Sequence, residues 1–161
     1  MTSSGYGPIR IKPHHLVDII SALGAGPPVL GPSPYGHALH TVTVRVLEDP
    51  DALVLIELGA DDICAPCMHN VSGRCDDAID TSYRPAAPTS KGAYNLLVDR
   101  RWCDRMQLRQ GDTLTVRGFC ERLLASVGDI SGVYREEAGS YIVDKARDIR
   151  TGVGRLLPVA D

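Results

Sequence analysis

No stretch of this chain approaches the ~20 consecutive apolar residues a helix needs to cross a bilayer, so a helical membrane protein is not expected. No apolar segment follows Met1-Thr2-Ser3-Ser4-Gly5-Tyr6-Gly7, so a secretory leader is not read and a cytoplasmic location is expected. An excess of one charge is missing too: 17 Lys and Arg stand against 20 Asp and Glu, a net −3. That balance gives no general attraction to phosphate backbones, so nucleic acid is not an expected partner. There is no Gly-x-Ser-x-Gly elbow, no Walker sequence, no paired-carboxylate hydrolase pattern and no internal repeat. A disulfide scaffold is also disfavoured. The five cysteines are odd in number, and 161 residues, 43% of them hydrophobic, suffice for one core.

Against these absences stands one dense feature. Cys64, Cys67 and Cys75 form a C-x2-C-x7-C run set in turn-forming residues. A C-x2-C turn lets two thiolates converge on one centre, Pro66 stiffens it, and Ser72-Gly73 lets the chain fold back to deliver Cys75. Cys103 and Cys120 extend the pattern to C-x2-C-x7-C-x27-C-x16-C, four ligands and a spare thiol. Structural zinc sites bring their ligands as two close pairs, and here the second pair is missing; recruiting His69 leaves a single residue between it and Cys67. An iron–sulfur cluster accommodates three local thiolates and a remote one, because its ligands bind separate irons. Neither the ferredoxin run C-x2-C-x2-C-x3-C-P nor the C-x3-C-x2-C of radical enzymes using S-adenosylmethionine is present. Spacing alone therefore leaves iron–sulfur, zinc and unligated thiols open, in that order.

For the fourth thiolate, Cys103 is expected over the runner-up Cys120. Cys103 lies in Arg100-Arg101-Trp102-Cys103-Asp104-Arg105, where guanidinium groups favour the thiolate and offset cluster charge. Cys120 falls on an apolar helical stripe, where cysteine behaves as a small hydrophobe.

Around this run the sequence reads as a predominantly helical α+β protein. Residues 1–8 form a flexible N-terminus and 9–157 a single domain. A first helix carries Pro13 in its opening turn and Leu16, Ile19, Ile20 and Leu23 on one face, stopping at Gly24. Residues 24–36 hold four glycines and four prolines and are loop. His37–Glu48 reads as helix through Tyr35, Leu39, Val42 and Val46, against a competing strand-like alternation of Val42, Val44 and Val46. Ala52–Leu58 is the best strand and leads directly into the cysteine-rich loop. Residues 80–92 are a long polar loop of the kind that carries function. Helices follow over about 93–108, after a Thr115 cap with Val116, Phe119, Cys120 and Leu123 inward, and over about 140–157.

The histidines bear two readings. His14 and His15 are the catalytic candidates, and with His37, His40, Arg84 and Lys91 they would line a pocket; otherwise they are core and capping residues. Asp61 and Asp62, beside Cys64, are placed to accept hydrogen bonds from loop amides. Asp61, Asp62, Asp76, Asp77 and Asp80 would guide a basic partner.

The segments Ile-Lys-Pro-His-His-Leu (11–16), Asp-Asp-Ile-Cys-Ala-Pro-Cys-Met-His-Asn (61–70), Gly-Arg-Cys (73–75) and Leu-Arg-Gln-Gly-Asp-Thr-Leu-Thr (108–115) resemble a small bacterial and archaeal family of unknown function, regarded as iron–sulfur-binding. The resemblance spans roughly residues 9–125, raises iron–sulfur over zinc and implies no substrate. Further cysteines near the C-terminus of many members have no counterpart after Cys120, so their ligands do not carry over. The expected function is then redox or electron transfer through a [4Fe–4S] cluster on Cys64, Cys67, Cys75 and Cys103, meeting a redox protein partner. Alternatives are a [2Fe–2S] or zinc centre, an enzyme whose open iron site binds a small-molecule substrate, and a structural zinc- or cluster-stapled interaction domain. The sequence does not specify an oligomeric state.

Overall fold

The computed structural model describes residues 5–159, so part of the expected flexible N-terminus, residues 1–4, lies outside the described residues. Three strands form a mixed sheet: β1 (Ile9–Ile11), β2 (Leu53–Ile56) and β5 (Thr113–Thr115), in the order β1-β2-β5. β1 pairs parallel with β2, Ile9 opposite Val54 and Ile11 opposite Ile56, and β2 pairs antiparallel with β5. Alternation sets the inner face. Ile9, Ile11, Val54 and Ile56 are fully buried, whereas Arg10 is exposed. Each such aliphatic side chain contributes about 1.5–3 kcal/mol by leaving water. β1 and β5 are three residues each, too short for periodicity to announce them; tertiary pairing makes them strands.

Five helices cover this core among the described residues: α1 (Pro13–Ala25), α2 (Leu39–Glu48), α3 (Lys91–Met106), α4 (Val116–Ser126) and α5 (Gly139–Leu156). Their periods match the sequence expectations, including the helical choice for residues 39–48. Pro13 opens α1, and Ser90 caps α3 by accepting from the Ala93 amide at 3.2 Å. Thr115 caps α4 through its hydroxyl on the Gly118 amide, 2.9 Å away. The stop at Gly24 is corrected: α1 runs on to Ala25, and Gly24 serves a close approach. A Cβ on Gly24 would overlap the Asp148 carbonyl of α5, and one on Gly152 would overlap the Ile20 carbonyl of α1. The two backbones therefore pack without intervening side chains. Trp102, Phe119, Leu123 and Ile149 complete the core from α3, α4 and α5. No described helix is long and apolar enough to cross a membrane.

The parallel pairing of β1 and β2 positions the rest. Both strands finish at the same end of the sheet, so Lys12–His15 and the chain after Ile56 emerge side by side. Glu57 donates its amide to the Ile11 carbonyl at 3.0 Å and Asp62 to the Arg10 carbonyl at 3.0 Å, holding the second segment against the first.

Candidate metal centre

From β2 the chain enters a run of turns built on Asp61. The Cys67 amide donates to the Cys64 carbonyl at 2.9 Å, closing the C-x2-C turn, and the Asn70 amide donates to the Cys67 carbonyl at 3.0 Å. A hairpin follows, β3 (Asn70–Val71) with β4 (Arg74–Cys75), in which Asn70 faces Cys75. Ser72 (φ 53°) and Gly73 (φ 84°) both take left-handed backbone, the geometry of a two-residue type I′ connection. The Gly73 amide is held by the Asn70 side-chain oxygen at 3.0 Å. Through this turn Cys75 returns to the side of Cys64 and Cys67, and it packs against the start of α3 at Gly92.

The three thiols line one recess. One part of it is shared with Lys12, His69 and Asn70, and an adjoining part with Lys12, His15, Tyr35, His37, His69 and Lys91. All five cysteines are free. Burial foremost, and then the charge of Asp61, pushes the Cys64 thiol up to about 11, so a cation binding there has to displace a proton.

Two histidines on this recess are oriented by carboxylates. His15 Nδ1 lies 2.7 Å from Asp61 Oδ2, and His69 Nδ1 lies 2.8 Å from Asp76 Oδ1. Asp61 is the more constrained acid. It also accepts from the Lys12 amide at 2.8 Å and, through Oδ1, from the Cys64 amide at 2.9 Å. Burial alone would raise its carboxyl, but the His15 contact and these amides hold it well below the usual carboxylate range. Its amide-accepting role matches the sequence expectation, but its burial removes it from the acidic surface expected to guide a partner. One donor atom each of His15, Asp61 and Cys64 lies within 4.8 Å of the other two.

Lys12 is the residue that sequence reasoning missed. It exposes only 8% of its surface, lines both parts of the recess, and its ammonium has no hydrogen-bond or ion-pair partner among the described residues. Its signal lay in the Ile9-Arg10-Ile11 alternation, which, read as a strand, places the next residue at the sheet's end.

Cys103 and Cys120 do not line this recess. The correction is one of helix register. Cys103 shares the inward stripe of α3 with Asp99, Trp102 and Met106, and Cys120 the inward face of α4 with Val116, Phe119 and Leu123. The expected guanidinium help for Cys103 is also absent. Arg101 turns to Glu136 at 2.8 Å and Arg105 to the Ser126 carbonyl at 2.6 Å. Burial and then Asp99 raise the Cys103 thiol to about 11, and burial raises that of Cys120 to about 12.

The expected histidine pocket divides. His15, His37 and Lys91 stand on the cysteine recess. His14 is buried and bonded to Asp99 through its amide (2.7 Å) and Nδ1 (2.9 Å), and with Arg84 it faces a neighbouring chamber of about 180 Å³. Burial would lower the His14 pKa, but the Asp99 carboxylate raises it on balance. His40 joins neither, and its buried Nδ1 has no partner among the described residues. Compared with protein-family models, curated proteins and solved structures, the chain finds no significant match. The chemistry of the site is therefore read from its own residues.

Proposed function

We propose that the chain is an iron–sulfur protein that holds a [4Fe–4S] cluster on Cys64, Cys67 and Cys75 and serves electron transfer. The observation that carries this reading is Lys12, 8% exposed and without a hydrogen-bond or ion-pair partner among the described residues, lining the same recess as three thiols. Neutral thiols offer a cation in this recess no compensating charge, whereas a thiolate-ligated centre of net negative charge attracts it. The donor set also fits. Thiolate sulfur is the ligand of iron–sulfur clusters, and one histidine nitrogen is compatible with it. When bound, such a cluster takes up and releases one electron. Lys12 then offsets charge, Asp61 fixes the loop amide at Cys64, and Ser72-Gly73 keeps Cys75 in register.

Anaerobic purification with iron, sulfide and zinc assays and electron paramagnetic resonance tests the reading. About four iron and four sulfide per chain are expected. Stoichiometric zinc without acid-labile sulfide would refute it.

A second reading, an enzyme with a substrate beside the cluster, is favoured by one observation. The cysteine recess and the chamber of His14 and Arg84 share Lys91 and Asn95. Arg84 there is bound to Glu137 at 2.6 Å, and Tyr94 donates its hydroxyl to the same oxygen at 2.7 Å. Perturbation of the cluster signal by small carboxylic acids or polyols, abolished in Arg84→Ala, would select this reading over the carrier.

A further inference from the structure

We infer that His15, through Nε2, is the fourth protein ligand of the centre, with Asp61 as its positioning residue. This rests on the iron–sulfur reading of the recess and replaces the thiolate that Cys103 does not supply. Asp61 accepts from Nδ1, which fixes the ring's tautomer and leaves the lone pair on Nε2. Carboxylate-held imidazoles of this kind are the usual form of a ligating histidine.

The arrangement is built rather than incidental. The Asp61 side chain is fully buried, while that of His15 keeps 18% of its surface, and the ring lines the recess. One Asp61 oxygen binds the His15 ring and the Lys12 amide, and the other binds the Cys64 amide. A single carboxylate thus ties the histidine of α1 to the first cysteine of the loop, 49 positions later in the chain. The parallel β1–β2 pair brings those two segments together. His69 is the competing nitrogen. Its carboxylate partner Asp76 is 56% exposed, its ring stands edge-on to Tyr35 at 5.0 Å, and only Met68 separates it from Cys67. Among the described residues His69 belongs to no group of three close donor atoms, whereas His15 stands with Asp61 and Cys64, their donor atoms within 4.8 Å of one another.

The test uses the full chain, labelled with 15N-histidine, loaded anaerobically and reduced. Pulsed electron paramagnetic resonance of the unmodified protein should show one directly coupled 15N nucleus. The coupling should vanish in His15→Ala and persist in His69→Ala. His15→Cys should keep iron and sulfide, lose the coupling and lower the reduction potential, since imidazole in place of thiolate raises it. Asp61→Asn should weaken cluster retention about 10–100-fold. A cluster with full iron and sulfide but no 15N coupling overturns the His15 assignment and leaves the iron–sulfur reading standing. Coupling lost in His69→Ala instead does the same. Zinc without sulfide in the unmodified protein overturns both. The first measurement needs no variant, so a misfolded substitution cannot obscure the answer.

Discussion

Each cysteine's behaviour follows from the side of its element on which it falls. Cys64, Cys67 and Cys75 sit in turns and a hairpin, where thiols face a recess; Cys103 and Cys120 sit on inward helical stripes and act as core. Serine at Cys64, Cys67 or Cys75 should therefore release iron under anaerobic conditions. Cys103→Ala and Cys120→Ala should keep it and cost about 1–2 kcal/mol, the loss of a small buried group. Iron content and urea unfolding of the five variants check this, and loss of iron in Cys103→Ala would restore that residue as a ligand. Lys12 shows the same dependence on position. Only because it follows a buried strand does a lysine, ordinarily a surface residue, stand among thiols.

Among the elements, two contacts depend on the absence of a side chain. At the α1–α5 crossing, a Cβ on Gly24 or Gly152 meets backbone carbonyl oxygen, which cannot rotate away as a side chain would. Gly24→Ala and Gly152→Ala should each destabilise by about 2–3 kcal/mol, the scale of overpacking a filled interface, despite alanine's better helix propensity. A midpoint of urea unfolding equal to or above that of the unmodified protein would show that the helices part easily. In the hairpin the constraint is conformational, since nothing lies within 4 Å of a Cβ built on Gly73. Gly73→Ala at φ 84° should cost about 1–2 kcal/mol of turn stability. Because that turn sets the register of Cys75, the same variant should lose cluster faster than Gly132→Ala, an exposed control with open space around it. Equal loss rates would uncouple the turn from the centre.

As one body, the molecule is tied between distant segments by ion pairs whose sign gives its acid behaviour. Asp18 of α1 pairs with Lys145 of α5, Arg10 with Glu57, and Arg101 of α3 with Glu136 at the approach to α5. Burial opposes ionisation of Asp18 and Glu57, but Lys145 and Arg10 prevail, and Arg101 lowers Glu136 directly; all three carboxyls lie below their ordinary values of 3.8 and 4.5. A carboxyl depressed in the folded state contributes stability that is complete above its unfolded pKa and is lost as pH falls through the folded one. The urea midpoint should therefore fall below pH about 4 as these carboxyls are protonated. In Lys145→Met that fall should be shallower, because Asp18 loses the largest of the interactions that lower it. An unchanged slope would assign the acid loss to other groups.

The sequence by itself determined the helices, because their 3.6-residue apolar periods, the Pro13 start and the Thr115 cap are local properties, although the Ser90 cap fell within the stretch read as loop. It also determined the cysteine hairpin, because Ser72-Gly73 specifies its own turn. What it left undecided is non-local. β1 and β5 are too short to declare themselves, and without β1 nothing in the sequence places Lys12 and His15 beside Cys64. Which thiol faces a recess and which faces the core depends on how α3 and α4 rotate against the sheet. A change of one residue in helical phase swings a side chain by about 100°. Local spacing therefore marked Cys64, Cys67 and Cys75, while the parallel pairing of two short strands decided what stands opposite them.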